Sequence, residues 1–351
     1  MPDRSDVAAS KAIQRRTGRT FHLATRGLPE WARHPTYVLY AFFRMADEVV
    51  DDPDPAPPAE QRIELERIRE AALDERETDD PVLGAFAELR ERHGIPEREI
   101  HEFIEAMAMD VDRSRYDTYE DLEAYLRGSS VAVAYMMLAV MDPEEKEPAR
   151  PHAKALGEAF QLTNFLRDVR EDIEEYDRIY LPRETLDEYG VTEEQIESLS
   201  FDENFAAAMA HELTRTEQLY HKGVAGIRYL PEDCQFAVLA AATLYAEHHR
   251  LIRTRGFDVL SARPSLSTPR RLWVLARTWF HWRRTGDPEA TFYLVAPVEP
   301  SSAEAAVGAS PDGSGLAEGE EPGNADSTCR VSHGLSTLVR SVRSWLPPRT
   351  S

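Results

Sequence analysis

Residues 159–172 read AFQLTNFLRDVRED, a run in which polar residues recur at helical spacing. Gln161, Asn164, Asp168 and Asp172 stand at offsets of 0, 3, 7 and 11, which places them on one face of an α-helix. Apolar residues fill the positions on both sides of this polar stripe, which indicates a buried helix rather than a solvated one. Because buried carboxylates need a counter-charge, the stretch predicts a functional site on a core helix.

A second aspartate pair lies earlier in the chain, where residues 40–52 read YAFFRMADEVVDD. Asp47 and Asp51 are four positions apart and therefore share a helix face. A solvated surface is the ordinary explanation of one such pair. Here aromatic and aliphatic side chains surround the pair too widely for a surface helix, and two such pairs together favour a site. The prolines that follow predict that the helix ends near Asp51.

Four carboxylates on two helices predict a divalent-cation site. Hard cations prefer oxygen ligands and Mg²⁺ shares its coordination with substrate phosphates, so we expect Mg²⁺, with Mn²⁺ as the alternative, and a diphosphate substrate. Arg44 and Arg167 stand next to the two pairs and can each hold phosphate through two hydrogen bonds. The predicted chemistry is ionisation of a carbon–oxygen bond with diphosphate leaving, inside an apolar cavity that keeps water from the carbocation.

Helical spacing of apolar residues continues from about residue 10 to residue 285, and alternating β-type runs are scarce, so we predict an all-α fold. Thr118 followed by Asp121 predicts a capping box at the start of a long central helix. The longest apolar runs have 11 residues, about half of what a bilayer requires. The expected helices lie at about 9–25, 35–50, 60–76, 82–92, 97–111, 118–141, 149–175, 202–228, 232–255 and 269–283.

Composition narrows the classes of function. The 351 residues include 63 acidic and 41 basic side chains, and the net charge of −22 argues against nucleic acid as a partner. Only four basic residues are lysines, and this acidic, arginine-rich composition resembles that of proteins from salt-loving microbes such as halophilic archaea. Two distant cysteines and a charged first stretch without a secretory pattern predict a cytoplasmic protein.

Three segments are predicted along the chain. An all-α domain occupies residues 1–290, a disordered acidic linker rich in Gly, Ser and Pro occupies 291–330, and a short basic amphipathic segment occupies 331–351. A basic amphipathic helix on a tether predicts peripheral contact with the inner membrane surface. Packing of this segment on its own domain, or disorder, are the alternatives.

These residues belong to longer motifs that strongly resemble the squalene and phytoene synthase family. The stretch at 156–182 is the most specific, and the motifs together cover about residues 10–285. The resemblance implies a single-domain isoprenoid-synthase helical bundle whose two aspartate motifs face each other across a central cavity. The motifs are TGRTFHLATRGLP at 17–29, YVLYAFFRMADEVVD at 37–51, YDTYEDLEAYLRGSSVAVAYMM at 116–137, LGEAFQLTNFLRDVREDIEEYDRIYLP at 156–182 and GFDVLSARPSLSTPRRL at 256–272.

Within the family, the phytoene synthase branch looks closer than the squalene branch. The resemblance therefore implies a prenyltransferase that condenses two geranylgeranyl diphosphates head to head, through prephytoene diphosphate, to phytoene. This is the first committed step of carotenoid biosynthesis and needs no nicotinamide reductant. The implied catalytic and metal-binding residues are Asp47, Asp51, Asp168 and Asp172, with Tyr40 and Tyr245 near the carbocation or the departing proton. The residues implied to hold the diphosphates are Thr17, Thr20, Arg44, Gln161, Asn164, Arg167 and Arg178.

Two other functions stay open on the sequence. One is squalene or dehydrosqualene synthesis from two farnesyl diphosphates, because the run SSVAVA at 129–134 replaces a Gly-containing run common in the family and leaves the prenyl chain length open. The other is a non-catalytic relative acting as an assembly factor, although such relatives tend to lose the metal aspartates that this chain keeps. His248 and His249 diverge on a helix, which predicts packed or surface residues rather than a metal site.

Overall fold

The computed structural model describes residues 24–52 and 54–298, and within these ranges the fold is all-α, as predicted. An isolated bridge between Arg115 and Ile179 is the β-type pairing found in the same ranges. The helices are α1 (Glu30–Val50), α2 (Pro58–Ala72), α3 (Pro81–His93), α4 (Glu97–Met109), α5 (Tyr119–Leu126), α6 (Val133–Met141), α7 (Lys146–Tyr176), α8 (Arg183–Glu188), α9 (Glu193–Glu197), α10 (Glu203–Val224), α11 (Glu232–Thr254), α12 (Thr268–Thr285) and α13 (Pro288–Val295), with a π-helical turn at Arg127–Ala132 and a 3₁₀ turn at Ile227–Tyr229.

Helix α7, which carries the second aspartate pair, is the longest element and lies at the centre of the packing. It contacts α6, the π-helical turn, α10 and α11. Asp177 ends the helix in the left-handed region, with φ at 51°. The amides of Asp177 and Arg178 donate to the carbonyls of Ile173 and Asp172, which satisfies the last turn. Arg178 therefore follows the aspartate-bearing turn directly.

Helix α1, which carries the first aspartate pair, is anchored by a cluster of buried aromatic rings. Phe42 stacks on Phe86 of α3 with 3.8 Å between ring centroids, and it lies 5.5 Å from the ring of Phe103 on α4. Such tight packing of large rings fixes the rotation of α1 about its axis. The aspartates of α1 are consequently held in one direction, and the helix ends before Asp51, as the prolines predicted.

The predicted central helix at 118–141 forms, but a π-helical turn divides it. The predicted capping box is confirmed, because the Asp121 amide donates to the Thr118 hydroxyl at 3.1 Å and the Thr118 amide donates to the Asp121 carboxylate at 3.1 Å. The π-helical turn that follows is a type often found at functional sites. Gly128 in this turn packs closely on α4, since a Cβ there would lie 2.0 Å from the Glu102 carbonyl oxygen.

The segment Tyr119–Met141 is the one described stretch long and apolar enough to span a membrane by length and composition. However, 56% of its most apolar window is buried inside the protein, as expected of a core helix. The segment therefore serves the packing of the bundle.

The main correction to the predicted organisation concerns the end of the domain. The predicted boundary at residue 290 falls inside α13, whose Phe292 is fully buried, and the packed part continues to Val298. Helices α8, α9 and α13 were not expected because they are too short to show a clear helical period. The predicted helix at 9–25 lies almost entirely outside the described residues, and so do the remaining linker and the segment 331–351.

Candidate active site

A cavity of about 790 Å³ lies between the helices that carry the aspartate pairs. Its wall contains every sequence-predicted site residue that the structure describes. The two remaining residues, Thr17 and Thr20, lie outside the described ranges. The cavity-lining members of the predicted set are Tyr40, Arg44, Asp47, Asp51, Gln161, Asn164, Arg167, Asp168, Asp172, Arg178 and Tyr245.

Helix α1 contributes a charged row to the cavity. Arg44 Nη1 lies 3.7 Å from the Asp47 carboxylate, and Arg44 Nε donates to Glu48 at 3.3 Å. Burial raises the pKa of Asp47 to about 7, and repulsion from Asp51 adds to the rise while Arg44 opposes it. At neutral pH the Asp47 carboxyl is therefore partly protonated, and a cation at this wall would favour its charged form.

Helix α7 holds Asp168 between two arginines. Arg167 Nε donates to Oδ1 at 2.7 Å and Arg167 Nη2 to Oδ2 at 2.5 Å. From the loop before α12, Arg263 Nε donates to the same Oδ1 at 2.7 Å and Arg263 Nη2 to Oδ2 at 3.0 Å. Each carboxylate oxygen thus accepts two charge-assisted hydrogen bonds. Arg263 also pairs with Glu171.

Asp172 lies one helical turn after Asp168 and differs from it in having no hydrogen-bond or ion-pair partner for its carboxylate among the described residues. Burial raises the pKa of Asp172 to about 8, with further contributions from the Asp168 and Glu171 charges. Arg178 and Arg263 oppose the rise without cancelling it. Asp172 is consequently a cavity-facing carboxylate that lacks a counter-ion.

Arg178 connects the two aspartate motifs. Its Nη1 donates to the Asp51 carboxylate at 2.9 Å, and its Nη2 donates to the carbonyls of Val50 at 3.1 Å and Asp110 at 3.4 Å. The positive charge of Arg178 also lowers the pKa of Asp172, although burial keeps that pKa raised. The two pairs therefore belong to one electrostatic site, and Arg178 lies in the wall of the cavity.

Asp110 is a cavity carboxylate that the sequence reasoning missed. It accepts a hydrogen bond from the Tyr125 hydroxyl at 2.8 Å and from the Tyr180 hydroxyl at 3.4 Å. Burial raises the pKa of Asp110 to about 6, although Arg178 and both phenols oppose the rise. Helical spacing could have identified Asp110 in the sequence, because Phe103, Met107 and Asp110 stand at offsets of 0, 4 and 7. All three line the cavity.

Arg263 is the second missed residue. It lies within the family-like segment at 256–272, yet nothing in the local sequence points a loop arginine at an aspartate on α7. The contact depends on how α11 and α12 return the loop to the cavity, where Pro264 and Leu266 also line the wall. Only the tertiary arrangement brings these groups together.

The rest of the cavity wall is apolar. At the border with the charged region, the Tyr245 ring stacks on Phe160 with 4.6 Å between centroids, and its hydroxyl hydrogen-bonds with Asn164. Burial raises the pKa of Tyr245, so the phenol is neutral. Such a wall suits a long hydrocarbon chain and excludes water. Its apolar members include Phe43, Phe103, Met107, Val133, Met137, Met141, Leu156, Phe160, Phe165, Ile227, Leu230 and Val238.

The adjacent histidines are packed residues, one of the two options expected from sequence. His249 is fully buried, with Nε2 2.9 Å from the Thr163 hydroxyl and Nδ1 3.1 Å from Glu217. His248 lines the cavity, and burial lowers its pKa to about 3, which keeps the imidazole neutral. Their different partners show that the pair does not chelate one ion.

The carboxylate oxygens of the charged wall are suitable ligands for a divalent cation, but they do not form a complete coordination site by themselves. Among residues 24–52 and 54–298, no three His, Cys, Asp or Glu side chains converge closely enough to hold a metal by themselves. However, the donors are all carboxylate oxygens, and the raised pKa values of Asp47 and Asp172 mark negative charge that a cation would compensate. Mg²⁺ commonly binds through one or two carboxylates together with water and substrate phosphates.

Comparisons with known proteins identify the family of this chain. A family model described as squalene/phytoene synthase matches residues 14–270. The 15-cis-phytoene synthase of Synechococcus elongatus is 31% identical over 288 residues, which cover 77% of this chain and 93% of the relative. A phytoene synthase of Cereibacter sphaeroides is 30% identical over 353 residues, covering 97% of this chain and 94% of the relative.

Solved structures share the fold. A dehydrosqualene synthase in complex with a ligand superposes with a TM-score of 0.72 at 26% identity, covering 80% of this chain and 97% of that protein. A squalene synthase from Alicyclobacillus acidocaldarius superposes with a TM-score of 0.66 at 24% identity, covering 73% of this chain and 95% of that protein. The helical bundle is therefore a shared fold.

Proposed function

The chain belongs to the squalene/phytoene synthase family, and on that premise we propose that it is a phytoene synthase. The proposed reaction joins two geranylgeranyl diphosphates head to head. The first ionisation releases one diphosphate, and attack of the second substrate's double bond on the resulting carbocation, with loss of one proton, gives the cyclopropyl intermediate prephytoene diphosphate. A second ionisation, rearrangement and proton loss then give phytoene, and no reductant is consumed.

The observation that carries the proposal is the division of one cavity into a charged wall and an apolar wall. The charged wall contains both aspartate pairs, joined through Arg178. The apolar wall extends from Phe160 and Tyr245 at the border. A substrate with a diphosphate at one end and a long hydrocarbon at the other matches this division. The phytoene synthase relatives favour the C20 substrate.

Mg²⁺, or Mn²⁺ in its place, would be held by Asp47, Asp51, Asp168 and Asp172. When bound, the ion would compensate the diphosphate charge and favour its departure. The arginines of the chain supply permanent positive charge for the same leaving group and can hold it through paired hydrogen bonds. The proposed diphosphate-binding residues are Arg44, Gln161, Asn164, Arg167 and Arg178, and Thr17 and Thr20 stay sequence predictions for the same role.

The aromatic border of the cavity would protect the carbocation. Ring faces carry partial negative charge and attract cations, so Tyr40, Tyr245 and Phe160 would stabilise positive charge next to the departing diphosphate. The neutral phenol of Tyr245 cannot attack the cation as a phenolate would. Exclusion of water by the surrounding apolar side chains prevents premature hydrolysis.

Product analysis with defined substrates tests the proposal. The purified full chain is incubated with Mg²⁺ and either geranylgeranyl or farnesyl diphosphate, with and without NADPH, and at low and high salt. We expect a C40 hydrocarbon from geranylgeranyl diphosphate, independent of NADPH and abolished by EDTA. Mass spectrometry and chromatography against authentic phytoene identify the product.

The solved dehydrosqualene synthase neighbour, at 26% identity, makes C30 synthesis the second candidate. A C30 product from farnesyl diphosphate, formed faster than any C40 product, would replace the proposed substrate. A C30 product formed only with NADPH would indicate squalene synthesis. Absence of any product with either substrate, from a protein that is folded and binds diphosphate, would favour the non-catalytic alternative.

A further inference from the structure

The surface of α12 carries a local positive charge that contrasts with the rest of the chain. Residues 259–286 contain six arginines and no Asp or Glu, whereas the whole chain has a net charge of −22. Arg263 and Arg270 are paired with Asp168 and Glu247. No carboxylate of the described residues forms an ion pair with Arg277, Arg283 or Arg284.

Exposed apolar side chains accompany these arginines. Trp273 is 46% exposed and Phe280 is 48% exposed, and they stand seven positions apart on one face of α12. Leu294 of α13 is 47% exposed and joins the same surface, because the Arg277 Nη2 donates to the Leu294 carbonyl at 2.5 Å. We call the surface formed by Trp273, Arg277, Phe280, Arg284 and Leu294 the arginine–aromatic face.

Arginine and aromatic groups alternate along this face. The Arg270 guanidinium lies 4.2 Å from the centroid of the Trp273 ring, and Arg277 lies 5.3 Å from it on the same helix. Arg284 lies 5.4 Å from the Phe280 centroid. These cation–π contacts hold the rings at the surface beside positive charge. The arrangement is unusual for a solvated helix, because large apolar side chains normally pack inward.

We propose that the arginine–aromatic face docks on the surface of an anionic lipid membrane. Basic charge attracts the acidic headgroups, while tryptophan and phenylalanine side chains enter the interfacial layer. A nucleic acid fits less well, because its long charged backbone would meet the acidic remainder of the protein. The predicted segment 331–351 is a separate part of the chain.

The acidic linker of this chain is the competing occupant, since its carboxylates also complement the arginines. It has no aromatic or large aliphatic cluster to cover Trp273, Phe280 and Leu294, whereas a membrane interface accommodates all three.

Vesicle flotation of the full chain tests the docking. The probes are vesicles of pure phosphatidylcholine and vesicles of phosphatidylcholine mixed equally with phosphatidylglycerol. We expect wild-type protein to float with the anionic vesicles at low salt. The double variant Arg277→Gln/Arg284→Gln should bind about 25-fold more weakly, from about fivefold per arginine. Trp273→Gln/Phe280→Gln should also lose binding, and its loss should persist at high salt because it removes apolar contact.

Matched controls separate the face from general surface effects. Arg92→Gln/Arg98→Gln changes the net charge equally on α3 and α4, and Ile63→Gln/Phe201→Gln removes two exposed apolar side chains elsewhere. Leu338→Gln/Trp345→Gln tests the predicted C-terminal segment. Circular dichroism and melting temperature check that each variant is folded.

Two results would overturn the proposal. One is wild-type protein that fails to bind anionic vesicles at low salt. The other is loss of binding in the C-terminal variant alone, with both face variants binding as tightly as the controls. Loss in the two face variants and retention in the two surface controls would support the assignment.

Discussion

Arg178 and Asp51 form the contact that joins the two aspartate motifs, with Arg178 Nη1 2.9 Å from the Asp51 carboxylate. Arg178 is almost completely buried, and it also caps the end of α1 through the Val50 carbonyl. A residue just after α7 therefore satisfies a carbonyl at the end of α1. The distance between the two aspartate pairs depends on this buried ion pair as well as on helix packing.

Arg178→Gln should destabilise the protein and impair its activity. Removal of the guanidinium leaves Asp51 and Asp110 without their shared counter-charge, and breaking one partner of a buried ion pair costs about 3 kcal/mol of unfolding free energy. Chemical denaturation measures the change. Arg178→Lys keeps the charge but cannot reproduce the three hydrogen bonds of the guanidinium. Its unfolding free energy should therefore lie between those of the wild type and Arg178→Gln. Equal stability of wild type and Arg178→Gln would contradict the bridging role.

Asp172→Asn should make the metal-free protein more stable while abolishing turnover. The pKa of Asp172 is raised from the ordinary 3.8 to about 8, so the folded state disfavours the charged form that the unfolded chain adopts above about pH 4. Stability is therefore lost as pH rises from about 4 to about 8, and the asparagine variant does not suffer this loss. At pH 8 we expect a gain on the order of 2 kcal/mol in unfolding free energy.

Thermal unfolding of both proteins in EDTA across this pH range measures the gain, which should vanish near pH 4. Asp187→Asn, on the surface of α8, is the matched control and should leave stability and turnover unchanged. A gain that is independent of pH would exclude titration of Asp172 as its cause. Retained turnover would remove Asp172 from the proposed cation site.

Arg263→Gln should strengthen cation binding in the absence of substrate. Both oxygens of Asp168 are occupied by hydrogen bonds from Arg167 and Arg263, so a cation has to displace one guanidinium to reach them. Arg263 is the one that can leave, because its side chain is 44% exposed on a loop whereas that of Arg167 is 15% exposed.

Mn²⁺ titration followed by electron paramagnetic resonance measures this effect. We expect the dissociation constant of the substrate-free protein to fall by roughly three- to tenfold, since a competing positive charge next to the carboxylate has been removed. Arg255→Gln, whose Nε donates only to the nearby Asp258 carbonyl, is the control and should bind Mn²⁺ like the wild type. Weaker binding by Arg263→Gln would show that Arg263 supports the cation site instead of competing for it.

Gly128→Ala should destabilise the junction between the π-helical turn and α4. Its methyl group would lie 2.0 Å from the Glu102 carbonyl oxygen and 2.6 Å from the Ala106 Cβ, so a helix must shift. We expect a loss of about 1–3 kcal/mol in unfolding free energy. Gly84→Ala in α3 is the control, because nothing lies within 4 Å of its Cβ and alanine favours the helix. Denaturant titration should therefore shift the two variants in opposite directions.

The sequence determined the helical class and much of the charged wall. Spacing alone placed Gln161, Asn164, Asp168 and Asp172 on one helix face. The resemblance of the longer motifs to a known family predicted that both aspartate pairs face a central cavity. Periodicity succeeds here because long helices repeat their buried face over many turns. It failed for α13, which is too short for a visible period, although Phe292 and Val295 are buried.

The pairing of the charges depends on the tertiary structure. Asp168 contacts Arg263 across 95 residues of sequence, and Asp51 contacts Arg178 across 127, while Asp172 faces the same cavity without a partner. These differences arise from loop paths and burial, which set the electrostatic environment of each carboxylate and leave no mark on local spacing. The sequence therefore supplied the set of carboxylates, and the packing of the helices decided which of them stays uncompensated for a cation.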